Sequence, residues 1–403
     1  MDWHEDLPSY ERDLRDIRMT ALLPPTLSDD AVHVLIIAVG RYDEPSLSPL
    51  PGAVLSAERL TDFWRGCSFA RGRKLGSLEV LISHQAPVSL QAHDGTPTIV
   101  EPATFAEVGA ALEAWAGRCA TGAFGVLHWI GHGETVSQTD EAGAGRNPGH
   151  VLYTQDIGRF GSAPVQTGYD WARTLNGLQR IVPKPLLCFI DACSNTPVDK
   201  DATYFAPWRA EKGRILHLAD VFLSSRPGAR AHCARPDQPV GKDFTGGALF
   251  SEAVRMALSR YGADVRDDRD GFVVFKDFLH RAAKKRLERW ARGSRKLKAL
   301  ETVFVPQGTF DVDEPIVRME APFGMIDLVH PGVPTRGIDC FISDSAGTRH
   351  ASTPANDLWE ADLPYDPAYD ATLQRTPRFS RQAIAVGHKK FEVYSPHRVV
   401  EVL

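Results

Sequence analysis

The sequence predicts an α/β protein, with a mostly parallel sheet flanked by helices and followed by a small C-terminal β-sandwich. The first observation is that strand-like apolar runs alternate with helix-like segments over roughly 280 residues, as in doubly wound sheets. The second is that short alternating segments, separated by Pro, Gly and Asp turns, begin at Phe323. We therefore expect a short polar leader over residues 1–30, an α/β domain over 31–312 and an all-β interaction domain over 323–403.

The elements of the α/β part follow from periodicity and from terminal signals. The run from Val32 to Val39 is rich in β-branched residues and carries no Asp, Glu, Lys or Arg, which is typical of a central parallel strand. Thr104 and Glu107 have the spacing of a capping box, so a helix should begin there. Further strands are expected at 78–83, in the runs that lead to residues 132 and 193, and near 224; helices are expected at 10–22, 53–64, 104–118, 171–180, 244–258 and 274–290.

Composition restricts the classes of partner. The chain has 403 residues, of which 43% are hydrophobic and 24% charged, and a net charge of −5, so there is no electrostatic basis for binding nucleic acid or an anionic membrane. No apolar stretch approaches the roughly 20 residues of a spanning helix, and the acidic N-terminus lacks the apolar core of a secretory signal. We expect a cytoplasmic protein, with the basic run at 284–298 as a solvated helix face.

Two reactive side chains follow strand-like runs. The segment FGVLHWIGHGE ends in His132-Gly133-Glu134, and PLLCFIDAC ends in Asp191-Ala192-Cys193. Strands that are neighbours in a parallel sheet end at the same edge, which is where open α/β folds build their sites. A thiol and an imidazole at that edge are the minimum equipment of a cysteine protease. The other five cysteines form no CxxC pair with one another or with Cys193, and they are expected to be reduced and buried.

Together these segments resemble the caspase-like peptidases, which include caspases, metacaspases and bacterial orthocaspases. The resemblance covers about residues 30 to 310 and includes VLIIAVGRYDEPSLSPLPGAVLSAERL as the opening strand, loop and helix. The HGE and DAC segments match the family's His and Cys motifs. The family's large C-terminal helix is matched by FTGGALFSEAVRMAL, and its closing segment is matched by TVFVPQG. The caspase signature QAC, followed by [RQG] and Gly, is altered here: Asp191 replaces Gln, and Ser194-Asn195 replace the last two positions.

The resemblance implies a mechanism. Cys193 would be the nucleophile, because a thiolate attacks a peptide carbonyl efficiently, and His132 would be the acid–base partner. The backbone N–H groups of Gly133 and Cys193 would form the oxyanion hole, with glycine allowing close approach of the substrate. No third acidic or amide member is evident, and the family generally works as a dyad.

Substrate preference depends on Asp191. A side chain two residues before the nucleophile points to the same face of the strand, and a carboxylate there favours a guanidinium or ammonium group. Metacaspases and orthocaspases carry Asp at this point and cut after Arg or Lys. Metacaspases supply a second acid from the first helix, where the matching position here is Ser56. Asp43 is a candidate substitute, although the sequence favours its interpretation as a solvated loop acid.

Two other parts of the sequence are candidate metal sites. His128 and His132 have a metal-pair spacing but no accompanying acidic or Cys ligand, so no metal is assigned and His128 is expected to be a satisfied core histidine. The acidic segment DVRDDRDG at 264–271 could hold calcium but lacks the EF-hand pattern, so a charged turn is expected and no cofactor is required.

The sequence therefore predicts a cysteine endopeptidase that cuts proteins after Arg or Lys, as a zymogen in a bacterial stress, cell-death or antiviral defence pathway. Self-cleavage could occur in the loop at 196–216, and an activating protease or a partner bound through the C-terminal domain is also compatible with the pattern. The alternative is a catalytically silent caspase-like module that binds partners through its β-sandwich.

Overall fold

The computed structural model describes residues 21–403 except for 24, 27, 137–148, 158–167, 184, 194–218, 226–230, 241–243, 268–270, 294–304, 308–313, 332–334, 356–357, 376–383 and 396. The α-helices of the described chain are α1 (Pro51–Gly66), α2 (Phe105–Cys119), α3 (Trp171–Ile181), α4 (Leu249–Met256) and α5 (Lys276–Gly293).

The strands that precede the C-terminal part are β1 (Ala21–Leu23), β2 (Ala31–Val39), β3 (Ser68–Phe69), β4 (Lys74–Ser83), β5 (Ser89–Gln91), β6 (Pro97–Ile99), β7 (Phe124–Gly131), β8 (Gly133–Val136), β9 (Gly149–Tyr153), β10 (Gly168–Asp170), β11 (Leu186–Ala192), β12 (Asp220–Leu223), β13 (Cys233–Val240), β14 (Phe244–Ala248), β15 (Ala263–Asp267), β16 (Gly271–Val274), β17 (Val305–Gln307) and β18 (Val317–Met319). The C-terminal strands are β19 (Phe323–Val329), β20 (Ile338–Ser343), β21 (Arg349–His350), β22 (Thr353–Ala355), β23 (Leu358–Pro364), β24 (Asp366–Arg375), β25 (Ile384–Val393) and β26 (His397–Glu401).

A seven-stranded sheet forms the centre of the α/β part, in the order β1-β4-β2-β7-β11-β12-β17. Its five inner strands run parallel, and only the edge strands β1 and β17 are antiparallel to their neighbours. Strand β2 is buried along its whole length, which explains why its sequence is almost continuously apolar and does not alternate with polar residues. The predicted fold class, a mostly parallel sheet flanked by helices, is confirmed.

Helices cover both faces of this sheet. Alternate residues of β2 face opposite sides: Val34 and Ile36 join the core beneath α1, α4 and α5, while Leu35 and Ile37 join the core beneath α2 and α3. Thr104 caps α2 as its spacing predicts, since its hydroxyl accepts the Glu107 backbone N–H. The two cores hold the inner strands in register, so the strand ends have defined positions.

Two element predictions were wrong. Residues 21–23, placed partly in a leader helix, form the edge strand β1 against β4; the rest of the predicted helix, up to residue 20, lies outside the described residues. The helix predicted over 244–258 starts at Leu249, because Gly246 and Gly247 have φ of 68° and 113° and form the hairpin strand β14. These left-handed angles favour glycine, and a glycine pair is a poor helix interior.

The C-terminal part is a sandwich of two four-stranded sheets, as predicted. One sheet has the order β22-β23-β19-β26 and the other β21-β20-β24-β25. Alternate residues of both sheets share one apolar core, which includes Trp359, Tyr369 and Phe391. The domain boundaries at 1–30, 31–312 and 323–403 stay predictions.

The basic run was expected to be solvated, and this prediction was wrong for its helical part. On α5, Arg289 lies 2.9 Å from Asp327 and also pairs with Asp362, both on the sandwich, while Lys285 pairs with Asp327. Burial alone would raise the pKa of Asp327, but hydrogen bonds from His397 and Lys285 and the charge of Arg289 outweigh it and hold that pKa well below its ordinary value. The basic face of α5 therefore binds the acidic face of the sandwich.

Replacing Arg289 by alanine should destabilise the protein by about 1.5–3 kcal/mol, because two buried carboxylates each lose a charge-assisted hydrogen bond, while Lys285 still pairs with Asp327 and Arg286 with Asp362. The measurement is urea unfolding, with Lys284→Ala as the matched control, since Lys284 is exposed on the same helix. Equal stability of the two variants would contradict a structural role for this ion-pair cluster.

The described helices include none that is long and apolar enough to cross a bilayer. The acidic segment at 264–271 forms a hairpin in its described part, with Asp267 opposite Gly271. The residues between them, 268–270, lie outside the described part of the chain, so the charged turn stays a prediction.

Candidate active site

His132 and Cys193 follow the ends of adjacent parallel strands. Strands β7 and β11 pair in register up to Gly131 and Ala192, which are direct partners, so His132 and Cys193 are the next residues on each chain. In both β7 and β11, the side chains two, four and six positions before His132 and Cys193 lie on the side of the sheet that faces α1. The predicted convergence of the two residues at the carboxyl edge of the sheet is present in the structure.

Gly133 lies directly against the backbone of Cys193. A Cβ atom placed on Gly133 would lie 2.9 Å from the Cys193 carbonyl oxygen and 2.6 Å from the Val151 carbonyl oxygen, which is closer than real side-chain contacts. The structure therefore requires glycine at position 133 for steric reasons within the protein, and the expected close approach of the Gly133 backbone to substrate stays a prediction.

Two residues that the sequence did not identify orient His132. The backbone N–H of His132 donates to the Tyr42 hydroxyl at 2.6 Å, and the two rings lie 4.9 Å apart. The His132 Nε2 atom is 2.8 Å from the Ser48 carbonyl oxygen. A carbonyl only accepts, so Nε2 carries the proton in the neutral ring and Nδ1 carries the lone pair. The loop before α1 thus selects the tautomer in which Nδ1 can take a proton.

The environment of His132 keeps the ring neutral. Burial lowers the pKa of His132 below its ordinary value of 6.5, and the hydrogen bond to Ser48 opposes this only in part. A neutral imidazole at physiological pH is the form that can act as a general base. Tyr42 stays a phenol, since burial raises its pKa despite the hydrogen bond from His132.

Cys193 differs from the inert thiols of the core. Its Sγ atom is half-buried and lies 3.7 Å from the Ala231 carbonyl oxygen, just before β13. Cys119 and Cys188 are fully buried, and burial raises their pKa well above the ordinary range. Burial likewise raises the pKa of Cys233 to about 12, so this neighbouring thiol stays protonated.

Asp191 lies beneath the nucleophile on the α1–α4 side of the sheet. Its Oδ2 atom accepts the Ser251 backbone N–H at 2.9 Å and the Ser251 hydroxyl at 2.8 Å, both from the first turn of α4. Burial raises the pKa of Asp191 to about 6, although hydrogen bonds from Ser251 and Ser224 oppose the rise. Within the described chain no Lys or Arg pairs with it, so a buried carboxylate lies close to Cys193 without a cation.

Ser56, at the position where metacaspases supply a second acid, is hydrogen-bonded to an acid from another helix. Ser56 donates its hydroxyl proton to Glu252 at 2.8 Å, and Glu252 is a fully buried carboxylate on α4. Arg59 and Arg255 pair with Glu252 at 3.1 and 3.0 Å. An acid therefore does reach this place, from α4 and not from α1, but its charge is already compensated.

Asp43 is hydrogen-bonded to Gln155. Its backbone N–H donates to the Gln155 carbonyl at 2.8 Å, and its carboxylate accepts from the Gln155 amide at 3.3 Å. The hydrogen bonds of Asp191 come from Ser224 and Ser251 instead. Asp43 therefore has a partner on the segment after β9, and its role as a substitute for the second acid stays a prediction.

His128 is a core histidine, as expected. Its Nε2 atom accepts the Trp64 indole N–H at 2.9 Å, and burial lowers its pKa to about 3. Across the described ranges, no group of three or more His, Cys, Asp or Glu residues is arranged to hold a metal ion. The loop at 196–216, predicted as the place of self-cleavage, lies outside the described residues.

The residues that sequence reasoning missed share one property: they act through contacts between segments that are far apart in the chain. They are Tyr42, Ser48, His150, Ser225 and Ser251. A backbone carbonyl such as that of Ser48 leaves no signal in a side-chain pattern. In the RYDEP segment after β2, only Asp43 has a side chain that the sequence marks as a candidate site residue.

No family model matches the chain, and no curated protein matches it by sequence. Among solved structures, caspase-1 from Spodoptera frugiperda is similar at 16% identity and a TM-score of 0.40, over 75% of this chain and 94% of that chain. A structure of pro-Sf-caspase-1 is similar at 16% identity and a TM-score of 0.38, over 75% of this chain and 96% of that chain. Similarity at this level does not assign the chain to a family.

Proposed function

We propose that this protein is a cysteine endopeptidase that cuts after Arg or Lys. The observation that carries the proposal is the in-register pair of strand ends, which brings His132 and Cys193 together with the His132 tautomer selected by Ser48. A nucleophile, a neutral base and a group that orients the base are the parts that covalent acyl transfer requires.

The reaction follows from these positions. The Cys193 thiol gives its proton to His132 Nδ1, and the thiolate attacks the substrate carbonyl carbon, so that a C–S bond forms and the carbonyl electron pair moves to oxygen. The Gly133 and Cys193 N–H groups receive that oxyanion. The C–N bond then breaks as Nδ1 protonates the leaving amine. Water, deprotonated by the same nitrogen, hydrolyses the thioester and restores the thiol.

Asp191 supports the preference for a basic side chain. A buried carboxylate without a cation gains a charge-assisted hydrogen bond when a guanidinium or ammonium group reaches it. The proposed preference is that of metacaspases and orthocaspases, which the sequence resembles, and not that of caspases that cut after aspartate. No cofactor enters these steps.

The test is hydrolysis of fluorogenic peptides with Arg, Lys or Asp before the scissile bond, by wild type and by Cys193→Ala. We expect hydrolysis after Arg and Lys in wild type only, and at least 10²-fold slower hydrolysis after Asp, since an unpaired acid would face Asp191. Preferred cleavage after Asp would keep the peptidase and overturn the pocket.

Activation is tested in the same assay. Wild type and Cys193→Ala are incubated alone, with calcium, and after limited trypsin digestion, and fragments are sized on a gel. Fragments that form in wild type alone would support self-processing and a zymogen. Wild type that stays silent under all three conditions would overturn the proposed activity.

A further inference from the structure

The two peptide units on either side of Cys193 are each held by a buried side chain from another element. The Ser225 hydroxyl donates to the Ala192 carbonyl at 2.8 Å, and His150 Nε2 lies 2.9 Å from the Cys193 carbonyl oxygen. We propose that His150 and Ser225 are positioning residues that clamp the nucleophile's backbone: Ser225 aims the Cys193 N–H at the oxyanion, and His150 holds the Cys193 carbonyl beside Gly133, the other oxyanion donor. This inference rests on the proposed peptidase activity and adds two residues to its machinery.

Ser225 sets the direction of the Cys193 N–H. In a planar trans peptide the C=O and N–H bonds point to opposite sides, so fixing the Ala192 carbonyl also fixes the N–H of Cys193. Ser225 approaches the Ala192 carbonyl from just beyond β12, and the Ser224 hydroxyl oxygen lies 3.3 Å from the same carbonyl oxygen. Strand β11 has β12 on one side and β7 on the other. The Cys193 N–H is thereby aimed at the β7 side, where His132 and Gly133 lie.

His150 sets the next peptide unit. His150 belongs to β9, which pairs with β8 from Gly133 onward. One pair of strands therefore carries both the glycine and the histidine that lie against the Cys193 carbonyl. Burial lowers the pKa of His150 to about 4, although the hydrogen bond to Cys193 opposes the shift. At neutral pH the ring is therefore uncharged, and Nε2 must carry the proton that it donates. His150 holds backbone and does not exchange a proton with substrate.

The clamp has a catalytic purpose because oxyanion stabilisation is sensitive to geometry. A donor must lie within about 2.7–3.1 Å of the developing charge, and loss of one such donor costs about 10²–10³-fold in kcat. Rotation of the Ala192–Cys193 peptide unit would move the Cys193 N–H out of this range, and rotation of the next unit would displace the Cys193 carbonyl that lies against Gly133.

The test uses variants that remove or keep each donor. His150→Leu and Ser225→Ala remove it, while His150→Gln and Ser225→Thr keep an N–H or hydroxyl donor. His33→Leu is the matched control, because His33 is a buried histidine bonded to Ser77 near the start of β2, at the opposite end of the sheet from Cys193. For each variant we measure kcat and KM on an Arg peptide and the rate at which iodoacetamide alkylates Cys193, followed by mass spectrometry.

We expect His150→Leu and Ser225→Ala to lower kcat by about 10–100-fold while KM changes less than about 3-fold. Alkylation at an sp³ carbon forms no oxyanion, so its rate should stay within about 2-fold of wild type. His150→Gln and Ser225→Thr should recover most of kcat, and His33→Leu should leave it unchanged.

Two results would overturn the clamp while wild type is active. One is an unchanged kcat in His150→Leu and Ser225→Ala; the other is a parallel fall of kcat and alkylation, which a loosened fold would cause. Wild type that hydrolyses no peptide would instead overturn the proposed function, and the inference with it.

Discussion

Alanine at Cys193 is expected to abolish peptide hydrolysis, with kcat lowered by about 10⁴-fold or more, because no other described group near His132 can form the acyl intermediate. Alanine at His132 should lower kcat by about 10²–10⁴-fold, since the thiol then lacks the Nδ1 acceptor. The double variant should be no slower than Cys193→Ala alone, because the two residues act as a unit. Steady-state kinetics on an Arg peptide measure all three.

The pH profile gives an independent check on His132. Its pKa is lowered from 6.5, and the base is active when neutral, so kcat at a saturating concentration of Arg peptide, where Asp191 is ion-paired, should be constant near neutral pH and fall on acidification with a midpoint below 6.5. His128→Asn is the matched control, because this histidine lies four residues earlier on the same strand and pairs with Trp64. It should reduce stability without moving the acid limb. An acid limb whose midpoint shifts in His128→Asn, or an acid limb that remains in His132→Ala, would contradict the His132–Cys193 dyad.

Asparagine at Asp191 should remove the preference for basic peptides and also stabilise the free protein at neutral pH. The variant keeps an oxygen that can accept from Ser251 but cannot pair with a guanidinium. Hydrolysis after Arg should therefore slow by about 10²–10³-fold relative to a neutral residue of similar length, as when a buried charge pair loses one member. The measurement is kcat/KM on paired Arg and citrulline peptides.

The stability effect has a defined sign. The folded pKa of Asp191 is about 6 against an ordinary 3.8, so the folded state binds the proton more tightly than the unfolded state. Stability is lost as pH rises from about 4 to 6, and the penalty is fully present above 6. A shift of about 2 units corresponds to about 3 kcal/mol, which is the upper limit of what Asp191→Asn can recover at pH 7.5. Urea unfolding at pH 4 and 7.5 measures this difference.

Asp170→Asn is the control for a purely structural acid. Asp170 is also buried and also accepts a backbone N–H in the first turn of a helix, from Arg173 on α3. The Asp170→Asn variant should keep the preference for the Arg peptide over the citrulline peptide. If Asp191→Asn instead destabilises the protein at pH 7.5 and keeps the Arg preference, Asp191 is a cap for α4 and the pocket assignment is wrong.

Local sequence patterns were sufficient to predict most of the strands of the central sheet. Strand β2 and helix α2 form as expected, because a β-branched apolar run and a Thr104 cap each carry their signal within a few residues. The helix predicted from Phe244 failed at its start, where backbone angles of Gly246 and Gly247 outweighed the apolar periodicity. The solvated face predicted for α5 failed because its partner, the acidic face of the sandwich, lies some 40 residues or more further along the chain.

The sequence by itself determined the pair of candidate catalytic residues and the acid beside them. Order along the chain and position after apolar runs place His132, Asp191 and Cys193 at strand ends, because side chains alternate in a strand and parallel neighbours end together. Only the tertiary structure decided how these groups are held: the Ser48 carbonyl selects the His132 tautomer, and Ser251 and Ser225 bind Asp191 and the Ala192 carbonyl. Such contacts depend on backbone direction and on which segments pack together, and neither property is written in the side-chain pattern of any one segment.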